Sequence, residues 1–310
     1  MKNRYIEVVA YNPDWPLAFE AEAVKIKQAL GNNCIEIHHI GSTSVPGLAA
    51  KPIIDMMPVV RDLGAVNNLA MEALGYEAKG GDGIPFRSYF TKGKDLRTHN
   101  VHIFEQGNLE IERHLNFRDW MCNNPVDKEA YAELKNHLAE KFPNDIKSYR
   151  IDKDEFIANI DAKAGWNGFR FVMAFTPKEW EAYHHIRREQ IFAPINVVYD
   201  ENHPSLTAEN NFHFILYKGT KIVSVAHVEF LNKYESAIRS LATDEPHKRN
   251  GYGTYMMKMI EKWIKSQGHN IIKIHANPNA EDFYRKLGYD DMEFDDVSIS
   301  KEIIDLGKIL

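Results

Sequence analysis

The chain of 310 residues is long enough for two domains of ordinary size. Its net charge of −6 is mild and argues against a nucleic-acid-binding protein that works through a basic surface. Two cysteines, Cys34 and Cys122, are too few for a disulfide framework. No stretch reaches the roughly 18 apolar residues of a membrane span, and the first residues lack the apolar run of a signal peptide. We therefore expect a cytoplasmic protein without a membrane partner; the oligomeric state stays open.

Alternating strand and helix patterns over residues 1–165 predict an α/β (α+β) domain. The expected strands lie at 5–9, 34–40, 52–60, 87–91 and 98–104. One helix is expected to begin near Asp14, and another follows the third strand and ends at Gly75. From 110 to 163 the pattern is mostly helical.

A Gly-Ser turn, Gly41-Ser42, joins the second and third predicted strands, and Asp55 stands inside the apolar third strand. A carboxylate in such a strand is normally tolerated only where it has a function. The segment from His38 to Asp55 resembles the GrpB family, a group with a nucleotidyltransferase-like fold. Further matching motifs lie at 87–90, 97–102 and 113–119. The resemblance implies a nucleotidyltransferase-like mixed sheet with helices for the first domain.

In nucleotidyltransferases such a turn cradles a triphosphate, and the following strand supplies two carboxylates for Mg²⁺. Asp55 matches the first carboxylate and is a candidate magnesium ligand, but Met57 stands where the second would be. A ligand-binding or regulatory module therefore competes with a working nucleotidyltransferase. A basic pocket facing Asp55 would suit a nucleotide or another phosphate ligand. The candidate residues of this N-terminal ligand site are Gly41, Ser42, Thr43, Lys51, Asp55, Arg87, His99, His102 and Arg118. Strand alternation places His99 and His102 on opposite faces, which argues against a paired metal site.

Residues 166–310 form the second predicted domain, after a Gly- and Asn-bearing break over 164–168. Strands are expected at 169–175, 212–217, 222–231, 237–243 and 271–276, and helices at 177–192 and 281–286. Between the last two strands lies an amphipathic helix whose apolar face contains Met256, Ile260, Trp263 and Ile264.

The segment from Lys248 to Thr254 joins a strand to the start of that helix, and Gly251 and Gly253 let the backbone approach a ligand closely. Free N–H groups and the helix dipole converge there, so the turn suits a pyrophosphate. A second motif follows the last strand and consists of Ala276, Ala280, Phe283, Tyr284, Gly288 and Tyr289. Together the two motifs resemble the GNAT acetyltransferase family, with Lys248 in place of the usual Gln or Arg. The resemblance implies a mixed sheet flanked by helices.

The GNAT resemblance also implies acetyl-CoA as the cofactor. The implied cofactor-binding residues are Leu241, Ala242, Thr243, Lys248, Arg249, Asn250, Gly251, Tyr252, Gly253, Thr254, Asn277, Phe283 and Tyr284. Tyr284 matches the family tyrosine that protonates the departing thiolate, with packing against CoA as the alternative role. The first candidate for the general base is Glu229, which shares a strand face with His227; a solvent-facing pair is the alternative.

We therefore expect an N-acetyltransferase whose acceptor is an amine of a small molecule or a protein. The acidic balance of the second half makes a cationic acceptor, such as a polyamine, reasonable. The helix that carries Tyr183, His184 and Arg187 would shape the acceptor pocket, while Arg188 is expected at the surface. Two alternatives stay open: a CoA-binding or ligand-sensing regulator without acetyl transfer, and a bifunctional acetyltransferase and nucleotidyltransferase.

Overall fold

The computed structural model describes residues 5–296 and 302–310. The chain divides into two compact units, one through Gly168 and one from Phe169 onward. This division lies close to the expected limit between 165 and 166, which as a boundary between independent domains stays a prediction. In the described ranges, no helix is both long and apolar enough to cross a membrane. The cytoplasmic location also stays a prediction.

The first unit is built on a mixed five-stranded sheet. Its strands are β1 (Cys34–Ile40), β2 (Ile54–Val60), β3 (Tyr76–Ala78), β4 (Arg87–Lys92) and β5 (His99–Glu105). Its helices are α1 (Trp15–Leu30), α2 (Asn68–Ala73), α3 (Leu109–Asn123), α4 (Pro125–Lys141), α5 (Ile146–Ile151) and α6 (Asp154–Lys163). The strand order is β1-β2-β5-β4-β3, with β2 and β5 parallel and the other neighbours antiparallel. The predicted strand at 5–9 is wrong, because only Val9 pairs there, with Ala50 of a loop.

Helices cover both faces of the first sheet. Trp15, Ile26 and Leu30 of α1 join a core cluster with Met56 and Val60 of β2 on one face. On the other face, Met57 is fully buried and packs with partly buried side chains of α3. Met57 therefore belongs to the core, and Asp55, two residues earlier, lies on the same face of β2 as α3.

The second unit is built on a mixed seven-stranded sheet. Its strands are β6 (Phe169–Met173), β7 (Asn211–Lys218), β8 (Lys221–Phe230), β9 (Glu235–Thr243), β10 (Ile271–Ala276), β11 (Asp290–Asp291) and β12 (Ile304–Ile309). Its helices are α7 (Pro177–Arg187), α8 (Tyr252–Ser266) and α9 (Glu281–Lys286). The strand order is β11-β12-β10-β9-β8-β7-β6. Among the described strands of this sheet, β9 and β10 are the only neighbours that run parallel.

Helices α7 and α8 lie on opposite faces of this sheet. Trp263 of α8 packs against the rings of Phe212, Phe214 and Phe230, with centroids 4.8 to 5.3 Å apart. Burial of such a ring contributes roughly 2 to 3 kcal/mol to stability. On the other face, the Trp180 ring of α7 lies 5.3 Å from that of His213, which follows Phe212 on β7. The face under α7 thus carries polar side chains such as His213, whereas the face under α8 is apolar.

Candidate functional site

The start of α8 presents free backbone donors. Gly251 precedes the helix in the left-handed conformation, with φ 78°, and no side chain caps this end in the described part of the chain. The first N–H groups of a helix have no partner within it, so those of Tyr252, Gly253 and Thr254 are available to a ligand. With the dipole of a 15-residue helix behind them, they are suited to an anion.

Three segments meet around Gly253. A Cβ atom on Gly253 would lie 3.6 Å from Thr243 Oγ1, at the end of β9, and 3.6 Å from the Phe283 ring of α9. Thr243 Oγ1 in turn donates to Ser224 Oγ over 3.3 Å. The structure thus brings together the strand end, the helix start and α9, as the cofactor prediction requires.

The edge of β9 beside Leu241 and Ala242 is open. Among the described residues, β9 and β10 pair only over Glu235–Ala237 and Ile271–Lys273, and they separate beyond that point. On its other side β9 pairs with β8. Arg239 of β9 forms a bulge in this pairing, because no residue of β8 stands opposite it between His227 and Val228. Beyond Ala237 the backbone of β9 thus has no strand partner on its β10 side among the described residues, and an extended ligand could pair with it there.

Other predicted cofactor-binding residues form contacts within the loop that precedes α8 or within the turn that follows β10. Lys248 Nζ lies 2.6 Å from Glu245 Oε2, and Asn250 Nδ2 donates to the carbonyls of His247 and Lys248 over 3.1 Å each. Arg249 has φ 61°. Asn277 follows β10, and its side chain accepts from the Asn279 N–H over 2.9 Å. The Lys248 ion pair is exposed and therefore weak enough to exchange for a phosphate.

Tyr284 is buried and protonated. It is 7% exposed, and its ring stands edge-on to those of Phe283 and Tyr289, with centroids 5.1 and 5.8 Å away. Burial raises the pKa of its hydroxyl to about 12, so the proton is retained at neutral pH. A proton donor is what a departing thiolate requires.

Glu229 is held in an ion-pair chain. Its Oε2 accepts from Arg239 Nε over 2.6 Å, and its Oε1 accepts from Asn210 Nδ2 over 3.2 Å. Arg239 also donates to Asp296 over 2.5 Å. The guanidinium of Arg239, at the bulge of β9, thus pairs with Glu229 and holds the Glu229 carboxylate beside β9. The assignment of Glu229 as the base stays a prediction.

His213, which sequence reasoning missed, lies on the same face and contacts Tyr183 and His227, which it named. The Tyr183 hydroxyl donates to His213 Nδ1 over 2.7 Å, while His213 Nε2 donates to the Ser205 carbonyl over 3.1 Å. His213 stands opposite His227 in the sheet, with ring centroids 4.6 Å apart. Burial lowers the pKa of His213 to about 4 and that of His227 to about 2, so both are neutral. The sequence did carry a signal for this pair, since each of two adjacent predicted strands that could form a hairpin contains one histidine.

In the first unit, Asp55 joins β2 to β5. Its Oδ1 accepts from Asn100 Nδ2 over 2.8 Å and lies 3.8 Å from His102 Nε2, while Asn100 Oδ1 accepts from the Tyr89 hydroxyl. Burial opposes ionisation, but His102, Asn100 and nearby Lys51 more than offset it and lower the pKa of Asp55. The carboxylate is therefore charged.

The Gly-Ser turn packs directly on this carboxylate. Gly41 has φ 68°, and a Cβ atom there would lie 2.5 Å from Asp55 Oδ2, so only glycine fits. Burial raises the pKa of the Tyr131 hydroxyl of α4, and nearby Ser42 opposes that shift. Thr43 is buried, and its hydroxyl lies 3.0 Å from His39 Nε2.

The remaining predicted residues divide between two faces. Arg87 is 7% exposed and lies 3.3 Å from His102 Nδ1, beside Asp55. Arg118 pairs with Asp119 and donates to the His39 carbonyl. His99 lies on the opposite face of β5, where its ring approaches Tyr76 at 6.5 Å. The structure therefore does not bring His99 to the Asp55 side, because three positions along a strand reverse the face.

Two lysines that sequence reasoning did not place at the site add positive charge on the Asp55 side: Lys135 of α4, and Lys153 in the turn before α6. Lys135 of α4 is 2% exposed, donates to the Ala49 carbonyl and lies 4.6 Å from the Tyr131 ring centroid. Lys153 and Lys51 each lie 4.8 Å from the ring centroid of Tyr149. Burial lowers the pKa of Lys135 to about 7, and the positive charges of Lys153 and Lys51 contribute to that shift.

Lys51 and Lys153 act on Asp55 directly and Lys135 acts with both lysines, so the three form a cationic surround on one side of this carboxylate. Burial also lowers the pKa of Lys153, to about 8, although Asp55 opposes that shift. No group of three or more His, Cys, Asp or Glu side chains placed to hold a metal ion occurs in the described ranges. The arrangement is suited to a multiply charged anion.

Comparison with known proteins agrees with this division. A family model described as "GrpB protein" matches residues 5–163, and one described as "Acetyltransferase (GNAT) family" matches residues 172–289. The UPF0157 protein YqkA of Bacillus subtilis is 47% identical over 163 residues, which cover 52% of this chain and 48% of that protein. The chain thus aligns with about half the length of that relative.

Two further matches concern the first half. The glutamate-rich protein GrpB of Alkalihalophilus pseudofirmus is 32% identical over 160 residues, covering 49% of this chain and 92% of that protein. The crystal structure of the conserved protein GrpB from Enterococcus faecalis is 44% identical, covers 51% of this chain and 96% of that one, and has a TM-score of 0.49.

Proposed function

The chain belongs to the GrpB family and carries a GNAT acetyltransferase domain behind its GrpB domain, and we propose that this second domain transfers an acetyl group from acetyl-CoA to an amine of a small molecule or a protein. The observation that carries the proposal is the uncapped start of α8 beside the open edge of β9. A pyrophosphate fits the first and an extended pantetheine arm fits the second.

The residues present divide the work of such a transfer. The cofactor supplies an activated acetyl thioester. The N–H groups of Tyr252, Gly253 and Thr254 would hold its pyrophosphate, and Leu241 and Ala242 would orient its arm. Glu229 would take a proton from the acceptor ammonium, and Tyr284 would give one to the departing sulfur.

The proposal is tested first by thiol release from acetyl-CoA with a panel of amines, using the full chain. Release that depends on the amine, with formation of the acetylated amine, supports transfer. CoA binding with no release for any amine would favour the regulator alternative, which needs the α8 turn but neither Glu229 nor Tyr284.

Replacing Glu229 with Gln should lower kcat by about 100-fold and leave the CoA dissociation constant unchanged, because an amide cannot accept the substrate proton. Steady-state kinetics and calorimetry with CoA measure the two quantities. Glu235→Gln is the matched control: Glu235 also lies on this sheet but pairs with Lys273 at the surface. An equal loss of CoA affinity in Glu229→Gln would assign Glu229 a structural role.

A second function is favoured by the cationic surround of Asp55: the GrpB domain binds a nucleotide or another phosphate ligand through Lys51, Lys135 and Lys153. A working nucleotidyltransferase, and hence a bifunctional enzyme, would also need Mg²⁺. Asp55 would be its protein ligand, and the phosphates and water would supply the rest.

We expect pyrophosphate and nucleoside triphosphates to bind the full chain and to bind more weakly as the pH rises from 6.5 to 8.5. The pKa of Lys135 is about 7, and a bound anion stabilises its ammonium form, so binding takes up a proton that becomes costly above pH 7. Calorimetry with and without Mg²⁺ measures this. Lys135→Met should remove the part of the pH dependence centred near pH 7 and leave the part that Lys153, with a pKa of about 8, contributes; the partly buried Lys128→Met on the same helix serves as the control. No heat with any of these ligands would reject phosphate binding.

A further inference from the structure

Arg187 stands out among the buried cations of the second unit. It is 7% exposed at the end of α7, and its guanidinium lies 5.0 Å from the Tyr183 ring, 5.3 Å from Tyr199 and 5.7 Å from Phe192. Immediately after it, the helix widens into a π-helical turn over Arg188–Phe192. Such turns are rare and often occur at functional sites.

The charge of Arg187 has no counter-ion in the part of the chain that the structure describes. Its hydrogen bond to the Tyr199 hydroxyl spans 3.4 Å, and its Nε is buried without a partner. Carboxylates in the neighbourhood are engaged elsewhere, since Glu201 pairs with Arg188 and Glu229 pairs with Arg239. A buried cation is costly unless it is paired, and aromatic faces offset only part of that cost.

The aromatic rings and imidazoles around Arg187 carry no negative charge. His213 and His227 are neutral, and the positive charge of Arg187 is one of the causes that lower the pKa of each. The His184 Nδ1 lies 2.7 Å from the same Tyr199 hydroxyl. The guanidinium is therefore surrounded by aromatic rings and neutral imidazoles. An anion bound there would supply the negative charge that these groups do not.

This charge lies on the face of the sheet where the acceptor is expected. Helix α7 and the π-helical turn contact β9, and α7 also contacts β8. His227 lies two residues before Glu229 on the same face of β8, and the charges of Arg187 and Arg239 both help to lower its pKa. Ser240, opposite His227 on β9, has a buried hydroxyl without a partner in the described residues. Arg187 and Ser240 thus each have a buried polar atom without a hydrogen-bond partner. Ser240 lies on β9, the strand beside the expected cofactor site, and the helix of Arg187 contacts that strand.

We infer that the acetyl acceptor is an amino acid or a related amino carboxylate, and that Arg187 binds its carboxylate while Glu229 faces its amine. The inference rests on the proposed acetyl transfer and names its substrate class. A planar guanidinium can hold a carboxylate through two parallel hydrogen bonds, which fixes the distance from the anion to the reacting nitrogen. Amines without a carboxylate leave Arg187 buried and unpaired, so they react poorly.

The test compares kcat/KM for matched acceptors: amino acids, their carboxamides and the corresponding decarboxylated amines. The wild type should prefer the acids by roughly 10- to 100-fold, the range expected for hydrogen bonds to a charged group. Arg187→Met should abolish that preference, whereas Arg187→Lys keeps part of it. Lys178→Met, at an exposed position of the same helix, should leave the preference unchanged. Equal rates for acids and amides in the wild type would overturn the inference while leaving acetyl transfer intact.

A second measurement needs no turnover. Calorimetry in the presence of CoA compares N-acetylglycine with N-acetylglycinamide and extends to N-acetylated longer amino acids. We expect the acids to bind more tightly to the wild type and not to Arg187→Met. If no amine is acetylated but this difference is found, acetyl transfer fails and the carboxylate site stands. If acids and amides bind equally, the carboxylate site fails.

Discussion

Replacing Tyr284 with Phe should lower kcat by about 100-fold or more, at the lower end of the range for loss of a general acid. The phenolic pKa of about 12 means that the hydroxyl is protonated across the working pH range, so the loss should be the same from pH 6 to 9. The ring and its packing against Phe283 are kept, and CoA affinity should therefore stay within about twofold.

Tyr289→Phe provides the control for Tyr284→Phe. Tyr289 is fully buried, its ring lies 5.8 Å from that of Tyr284, and the same single oxygen is removed. Its kcat should equal that of the wild type. Steady-state kinetics at saturating acetyl-CoA, with a melting curve for each variant, measures the comparison. Full activity in Tyr284→Phe would show that Tyr284 only packs in the groove.

Replacing Gly251 with Ala should weaken CoA binding by about 10-fold or more. Gly251 has φ 78°, and a side chain in that conformation costs roughly 1 to 2 kcal/mol, which the loop can relieve only by turning the N–H groups of α8 away from the ligand. Calorimetry with CoA reads the affinity, and thermal melting reads the strain.

Gly268 gives a control on the same helix. It follows α8 at the other end with φ 86°, and, like Gly251, it has open space where a Cβ would go. Gly268→Ala should lower the melting temperature to a similar extent and leave CoA affinity unchanged. If both variants lost CoA affinity equally, the effect would be one of general stability, and the α8 turn would not be the phosphate site.

The net charge of the chain and the local charge at α7 favour different acceptors. The mild acidic balance of the second half suggested a cationic acceptor such as a polyamine. The buried guanidinium of Arg187 favours an acceptor with a carboxylate instead. Local charge should prevail, because a desolvated group at contact distance outweighs exposed charges that salt screens.

The sequence by itself determined what depends on neighbours along the chain. Two glycines between a strand and an amphipathic helix predict the phosphate turn, and the structure shows Gly251 in the left-handed conformation that the turn needs. Strand alternation separates His99 from His102, and the structure has them on opposite faces of β5. The two family resemblances are likewise confirmed by the family models.

Only the tertiary structure decided which distant groups meet. Lys135 lies on α4 and Lys153 in the turn before α6, both far from Asp55 in sequence, and no spacing rule predicts that Lys153 acts on Asp55 or that Lys135 lies near Lys153 and Lys51. The separation of β9 from β10, the bulge that brings Arg239 to Glu229, and the pairing of His213 with His227 depend on strand register. Periodicity fixes which side chains share a face of one element, but packing between elements fixes what that face meets.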